Sequence, residues 1–432
     1  MAGAAKGIGE SDRFLAGKGA RSKRHVRNGA RTPNSENGKL RAAEFFAGIG
    51  LVRVALEQQN WDVVFANDID ENKAKMYRDN WPNDNHLVVD DIRNLGADQI
   101  PNCDLFTASF PCNDLSIAGR WEGLDGVHSS AFWQFVRILA ELRDRRPPLV
   151  LLENVLGFLL RNKGEDLHRA MRELDKLGYS VDAFVLNAKH WVPQSRPRLF
   201  VLAKLADGAD RVTWTMTSES RPPSLTRFIA DHQDICWDIF ALPALPESGL
   251  RLQDILDVPN GDDHDWWPED RASYFINQLS ERHSEEASRM IAGKTISYAT
   301  AFRRMRNKKS TAEIRTDGIA GCLRTPRGGS ARQILFEAGL GTYRVRLLRP
   351  SECAKLQGVD QTYRIDVALN QALAGFGDAV CVPVIRWIEQ NVIRPAYCQI
   401  QLGASRRQPT PELSARHDAN EILRFHSKDV VR

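Results

Sequence analysis

The feature that most constrains the fold is an alternation of apolar strands and amphipathic helices between Leu40 and Lys204. Short β-rich segments are followed by longer segments with helical periodicity, which is typical of a mainly parallel sheet covered by helices on both faces. We therefore predict an α/β domain. The predicted strands are 41–46, 61–67, 103–109, 148–154, 180–187 and 198–204, with a further candidate at 86–90, and the clearest helices follow Leu51, Ser130 and Gly164.

The chain outside this first domain, 39–205, divides by composition. Residues 1–38 carry eight Lys/Arg and three acids among Gly, Ser and Asn, which is typical of a basic, disordered arm. Residues 206–341 combine scattered tryptophans with many turn signals and predict a smaller irregular domain. Helical periodicity returns over 342–394 and is predicted to end before Pro395, which leaves 395–432 as a polar tail.

Composition excludes several classes of protein. The seven cysteines are odd in number, widely spread and never arranged as CxxC, so the sequence predicts neither a disulfide framework nor a metal site. No apolar run approaches the length of a membrane span, and the N-terminus lacks the apolar segment of a secretory signal. We expect no membrane association and a cytoplasmic location. The net charge of +4 permits a polyanionic partner without requiring one.

A glycine-containing turn follows the first predicted strand. Phe46-Ala47-Gly48-Ile49-Gly50 leads into a helix, where glycines let the backbone approach a ligand and present amides at a helix N-terminus. Asp68 lies twenty residues after Gly48 at the end of the second strand, where a carboxylate suits ribose hydroxyls. Since a third glycine is missing, the pattern favours a nucleoside cofactor without a pyrophosphate, such as S-adenosylmethionine. Asp91 suits a contact with an adenine amino group, and an ordinary acidic residue in a solvated loop is an equally good interpretation.

Three further signals fall at strand ends in the same part of the sheet. An arbitrary cysteine is more commonly buried and inert, but Cys112 lies in a Pro-Cys-Asn-Asp turn rather than in an apolar run, which favours a functional thiol. Glu153 ends an apolar strand abruptly, and Arg196 and Arg198 project on one side of an extended segment. Each signal alone also suits an ordinary surface or core residue.

The ordered motifs FAGIG, PCN, ENV and QSRPR, with RPSECAKLQG and GDAVCVPV near the C-terminus, resemble those of the DNA (cytosine-5) methyltransferase family of bacterial restriction-modification systems. The resemblance covers about 39–392. It implies a Rossmann-like S-adenosylmethionine-dependent domain, 39–205 and 342–394, interrupted by a target-recognition domain at 206–341.

The resemblance also implies a mechanism on double-stranded DNA. Cys112 matches the nucleophile that adds to carbon 6 of a flipped-out cytosine, which activates carbon 5 for methyl transfer. Glu153 matches the carboxylate that contacts ring nitrogen 3 and the exocyclic amine. Arg196 and Arg198 match the pair that positions the base and supports the loop after Cys112. A monomer acting on DNA, with a separate cognate restriction endonuclease, is the implied setting.

The same resemblance assigns the remaining site residues. The implied cofactor-binding residues are Phe46, Gly48, Gly50, Asp68, Ile69, Asp91, Ile92, Pro111, Asp378 and Val380. The predicted DNA-contacting residues are Ser116, Arg120, Gln194, Arg324, Thr325, Arg327 and Arg332.

Three residues depart from the family pattern: Leu51 replaces a common third glycine, Asn113 replaces glutamine after Pro-Cys, and Asp378 replaces the usual asparagine. Asp378 adds a negative charge near the cofactor, so cofactor affinity is the property most in question. Two alternatives stay open, the same chemistry on RNA and a catalytically inactive DNA-binding relative. A generic small-molecule methyltransferase would lack the Cys/Glu/Arg set.

Overall fold

The computed structural model describes residues 38–111, 131–205, 216–257, 265–306, 309–325 and 332–406. Across these ranges, no helix is both long and apolar enough to cross a membrane.

Seven strands of the described chain form one sheet in the order β3-β2-β1-β4-β5-β7-β6. All are parallel except β7, which runs antiparallel to β5 and β6. This confirms the predicted mainly parallel α/β sheet. The strands are β1 (Leu40–Phe45), β2 (Trp61–Asp68), β3 (Leu87–Val89), β4 (Leu105–Ala108), β5 (Leu149–Asn154), β6 (Tyr179–Asn187) and β7 (Pro197–Leu205).

Helices cover both faces of this sheet, because its strands are apolar on both sides. In β5, Leu149 and Leu151 join one apolar core, whereas Val150 and Leu152 join the other. The described α-helices up to residue 231 are α1 (Leu51–Glu57), α2 (Glu71–Asn80), α3 (Ala131–Leu142), α4 (Gly157–Leu160), α5 (Glu165–Lys176) and α6 (Pro223–Asp231). Short 3-10 turns lie at Ile92–Asn94, Ala97–Gln99, Arg143–Arg145, Arg161–Gly164 and Ala188–His190.

Residues 252–347 form a second region of the chain. Among its described residues, four strands form an antiparallel sheet in the order β11-β10-β8-β9. Small residues of β8 pack with Phe275 and Phe336 into a separate apolar core. The elements are α7 (Leu252–Ile255), α8 (Glu269–Ile276), α9 (Glu281–Ile291), β8 (Ser297–Arg306), β9 (Lys309–Arg315), β10 (Ile334–Gly339) and β11 (Thr342–Leu347).

The predicted domain division remains a prediction, but two of its boundaries need correction. The boundary at 341/342 falls inside a hairpin, because Gly339 of β10 pairs with Thr342 of β11 around a turn with positive φ at Leu340 and Gly341. Phe228 of α6 and Trp237 also pack into the core of the seven-stranded sheet, although they lie within 206–341. Strand pairing and core packing cross both predicted boundaries, and the local change in composition does not reveal either contact.

The helix predicted to end before Pro395 continues beyond it, so the predicted tail from residue 395 is wrong for 395–406. The final helices are α10 (Pro350–Leu356), α11 (Leu369–Asp378), α12 (Val382–Ile388), a π-helical turn (Glu389–Ile393) and α13 (Arg394–Arg406). The π-helical turn Glu389–Ile393 ends two residues before Pro395, so the continuous helix departs from regular α-helical geometry where proline lacks a backbone N–H. Burial of Ala396 and Tyr397, whose hydroxyl donates to Asp104 at 3.1 Å, holds this helix on the core.

Candidate functional site

The carboxyl end of β1 forms a turn, residues 46–50, which we call the glycine corner. Phe46, Gly48 and Gly50 all have positive φ, and α1 begins at the next residue. A Cβ at Gly50 would lie 2.6 Å from the Trp81 ring, so only glycine fits both the backbone angle and the space. The predicted tight turn is therefore present, and its glycine at position 50 is required by packing.

Asp68 fastens the glycine corner to the end of β2. Its Oδ2 accepts a hydrogen bond from the Gly48 N–H at 2.7 Å, and its Oδ1 accepts one from the Asp70 N–H at 2.8 Å. The neighbouring Ile69 side chain is 65% exposed. A buried carboxylate thus lies beside an apolar residue that faces solvent at the edge of the sheet.

The other predicted cofactor residues of this half lie at the ends of the adjacent strands. Arg93 holds the Asp91 carboxylate through Nε at 3.0 Å and Nη2 at 2.5 Å, and these bonds keep the pKa of Asp91 below its usual value. Ile92 is buried and Pro111 is half-buried. Asp91 is therefore paired with arginine, which sequence reasoning did not anticipate.

Asp378, the residue that departs from the family pattern, has two partners. Lys73 Nζ donates to its Oδ2 at 2.8 Å, and the Thr325 hydroxyl donates to its Oδ1. Burial raises the pKa of Asp378, but Lys73 and Thr325 outweigh it, so the pKa lies below its usual range. The negative charge at this position is therefore compensated within the chain. Val380, two residues on, is buried.

Glu153, Arg196, Arg198 and Cys322 form a second group, the acid–arginine corner. Since β7 runs antiparallel to β5, the start of β7 meets the carboxyl end of β5, and Arg198 Nε lies 3.0 Å from Glu153 Oε1. Both side chains are mostly buried, with 16% and 10% exposed. The predicted carboxylate and one predicted arginine thus form an ion pair at the sheet edge.

Asn154 connects this corner to the segment that carries the predicted thiol. Its Nδ2 donates to the Phe110 carbonyl at 3.2 Å, across from β5 to the end of β4. Pro111 follows, but Cys112, Ser116, Arg120 and Arg327 lie outside the described residues. The Phe110 carbonyl, two residues before Cys112 in the sequence, is thus hydrogen-bonded to the residue that follows Glu153.

Arg196 holds two distant segments together. Its guanidinium donates to the carbonyls of Leu323 at 3.0 Å, Gly377 at 3.0 Å and Ala379 at 2.6 Å, and the side chain is buried. Burial lowers the pKa of Arg196, with Arg198 adding to the effect. A Cβ at Gly377 would lie 2.5 Å from the Arg324 backbone, so the two segments touch directly. Arg196 therefore joins the start of β7 to the segments at Leu323 and at 377–379.

The predicted DNA-contacting residues fall into different settings. Gln194 is fully buried, donates to the Leu356 carbonyl at 2.7 Å and accepts from the Leu323 N–H at 3.1 Å, so a structural role replaces its predicted DNA contact. Arg324 is exposed, whereas Arg332 donates to the Asn370 amide oxygen. Thr325 is half-buried on Asp378.

Sequence reasoning missed Cys322, which lies between the two arginines. Its Sγ accepts from Arg196 Nη1 at 3.3 Å and from Arg198 Nη2 at 3.8 Å. Burial opposes ionisation of this thiol, but Arg196 and Arg198 outweigh it and lower its pKa. The nearby Arg324 is the sole local hint, since the arginine partners are more than 120 residues away in sequence.

Glu44 was also missed. It lies in β1 beneath the glycine corner, and burial raises its pKa to about 8, against the opposing effect of Arg53. Its Oε2 has no hydrogen-bond partner among the described residues. A buried acid in the middle of an apolar strand, RAAEFF, is a signal that the sequence did offer.

The mainly parallel sheet, covered by helices on both faces and with both corners at one edge, has the Rossmann-like architecture of S-adenosylmethionine-dependent methyltransferases. The family model for C-5 cytosine-specific DNA methylase matches residues 40–394, and the chain belongs to this family.

Type II methyltransferases are among its relatives. The chain is 26% identical to M.Bsp6I of Bacillus sp. (strain RFL6), over 82% of this chain and 99% of that protein. It is 26% identical to M.HhaI of Haemophilus parahaemolyticus, over 82% and 94%. Among solved structures, the S. pombe Dnmt2 methyltransferase is similar in fold, with a TM-score of 0.56 and 18% identity, over 83% of this chain and 99% of that one.

Proposed function

We propose that the chain is a sequence-specific DNA cytosine-5 methyltransferase of a restriction-modification system, with S-adenosylmethionine as methyl donor. The observation that carries the proposal is the Glu153–Arg198 pair, 3.0 Å apart, beside the segment that leads to Cys112. Membership of the C-5 cytosine-specific DNA methylase family supports the substrate. The names of its type II relatives support the restriction-modification setting.

Glu153 has the surroundings that this chemistry needs. Its carboxyl group is buried and fixed by Arg198, so it is preorganised to hydrogen-bond ring nitrogen 3 and the exocyclic amine of a flipped-out cytosine. The Cys112 thiolate adds to carbon 6, and the electron pair displaced onto the ring makes carbon 5 nucleophilic. After carbon 5 takes the methyl group, its proton leaves to a base and the carbon–sulfur bond breaks, which restores the thiolate.

The glycine corner fits a nucleoside with an amino-acid tail. A Cβ at Gly48 would meet nothing closer than the Lys73 Cδ at 4.0 Å, so the backbone there is accessible to a ligand. Asp68 and the exposed Ile69 supply a hydrogen-bond acceptor for a ribose and an apolar surface for a base. When bound, S-adenosylmethionine would supply an electrophilic methyl group, and Phe46, Gly48, Asp68, Ile69 and Val380 would hold it.

Expression in a methylation-deficient bacterial host, followed by bisulfite sequencing, tests the proposal. We expect protected cytosines within one short motif, and their loss in Cys112→Ala. Cys398→Ala is the matched control, because Cys398 is exposed on α13 and should leave methylation unchanged. Methylated RNA with unprotected DNA would move the substrate to RNA. Duplex binding without any methylation would identify an inactive DNA-binding relative.

A further inference from the structure

Lys73 lies between the glycine corner and the last motif. It belongs to α2, its aliphatic stem passes the Gly48 backbone, and its Nζ donates to Asp378 Oδ2 at 2.8 Å. The ammonium-bearing side chain is 18% exposed, whereas that of Asp378 is 45% exposed. A mostly buried cation thus faces a carboxylate that opens toward solvent.

Both partners are fixed by their surroundings. Asp378 ends α11, and its second oxygen accepts from Thr325, which directly follows the exposed Arg324. The negative charge of Asp68, which accepts from the Gly48 N–H, also raises the pKa of Lys73. The ion pair therefore joins three parts of the site: the glycine corner, the end of α11 and the segment at Thr325.

This arrangement accounts for the aspartate at position 378. Without Lys73, its carboxylate would lose half of its partners and would add an uncompensated negative charge at the cofactor side of the sheet. A ligand that spans the glycine corner and Val380 binds more tightly when the two walls are held in place beforehand.

We propose that Lys73 is a cofactor-positioning residue of this chain, which acts through Asp378 to hold the wall at 378–380 against the glycine corner. The inference rests on the proposed function, since it takes S-adenosylmethionine or its demethylated product as the ligand. Lys73 acts through Asp378 and takes no part in the chemical step.

A double-mutant cycle on the full-length protein tests this pair. The dissociation constant of S-adenosylhomocysteine is measured by titration calorimetry for the wild type, Lys73→Met, Asp378→Asn and the double variant. We expect Lys73→Met to weaken binding about tenfold in the wild type and less than about threefold in the Asp378→Asn background. Lys73→Arg, which keeps the charge, should stay within about threefold of the wild type.

The Asn72–Gln371 contact provides a matched control, because it joins the same two helices at 2.5 Å. Gln371→Ala should leave the affinity for S-adenosylhomocysteine unchanged, which separates positioning of the ligand from packing of α2 on α11. Thermal melting accompanies each variant, and Lys73→Gln replaces Lys73→Met in the cycle if the methionine variant does not fold.

The inference is overturned if Lys73→Met weakens binding equally in both backgrounds, or weakens it in neither. It is also overturned if Gln371→Ala is as damaging as Lys73→Met. If the wild type fails to bind S-adenosylhomocysteine, the proposed methyl donor is wrong, and this inference fails with it. Failure of the pair and failure of the proposed function are therefore distinct results.

Discussion

The glycine corner and the acid–arginine corner lie at the same edge of one sheet but are held in different ways. At the glycine corner the main contacts are backbone N–H groups to the Asp68 carboxylate and a close approach of Trp81 to Gly50. At the acid–arginine corner, charged side chains hold one another and distant carbonyls. Backbone conformation thus stabilises the first corner, whereas interactions between charged side chains stabilise the second.

The difference predicts how each corner fails. A backbone-built corner should respond to changes that add bulk or restrict φ, through the stability of the fold. A corner built from side chains should respond to changes in charge and hydrogen bonding, with a larger effect on activity than on stability.

Glu153→Gln should give the largest effect. The amide keeps the shape of the side chain but loses the charge that pairs with Arg198 and that the proposed reaction uses on ring nitrogen 3. We expect kcat to fall by about a thousandfold, and stability to urea to fall by less than this in free energy, because the glutamine oxygen still accepts a hydrogen bond from Arg198.

The matched control for this prediction is Glu337→Gln. Glu337 is also a mostly buried acid paired with an arginine, Arg344 at 2.5 Å, but in the four-stranded sheet. It should keep kcat within about threefold of the wild type. Arg344 is 50% exposed, so the control removes an ion pair of a buried acid with a more solvated arginine. Equal losses from the two substitutions would show that loss of any ion pair of a buried acid is sufficient, and would remove the special role of Glu153.

Gly50→Ala tests the glycine corner. The new Cβ would lie 2.6 Å from Trp81 at a φ of +80°, so strain and overlap should together cost about 3 kcal/mol in free energy of unfolding. Gly178→Ala is the control, because it has a φ of +90° and nothing within 4 Å of the added Cβ. It should cost about 1 kcal/mol from strain alone. Urea denaturation of both variants measures the difference, and equal costs would contradict the packing argument.

The same contrast explains what the sequence predicts well. The glycine corner and Asp68 are separated by twenty residues, and local glycine chemistry with strand alternation predicts both the turn and the acid beside it. The sheet is equally local, since strand–helix alternation leaves few other arrangements. The sequence also identifies Glu153 and Arg198 as candidates, because each lies at one end of an apolar strand.

Contacts across long separations were not predicted. Arg196 reaches carbonyls 127 and 183 residues away, and Cys322 meets arginines 124 and 126 residues away. No periodicity in one segment encodes such a pairing. Gln194 is an example. Its place in the QSRPR motif predicts a DNA contact, but its amide is fully buried and hydrogen-bonds the backbone of Leu323 and Leu356.

Glu44→Gln tests what lies beneath the glycine corner. Burial raises the pKa of Glu44 to about 8 from an ordinary 4.5, so the folded protein holds a proton that the unfolded chain releases. The resulting stabilisation is fully present below about pH 4.5 and is lost as the pH rises through about 8. Between these limits the wild type should lose up to about 1.4 kcal/mol per pH unit relative to Glu44→Gln, which has no such titration. Urea denaturation at pH 5.5, 7 and 8.5 checks this, and parallel pH profiles would contradict it.

Cys322→Ala should give the smallest effect, and it sharpens the electrostatic account of the acid–arginine corner. The sulfur accepts from Arg196 and Arg198, so its loss should loosen Arg198, which in turn holds Glu153. We expect kcat to fall about fivefold, because a partly solvated hydrogen-bond acceptor near charged groups contributes about 1 kcal/mol. Cys322→Ser, which keeps an acceptor of similar size, should recover most of the activity. If serine is as damaging as alanine, the sulfur matters for packing, and the corner depends on more than charge.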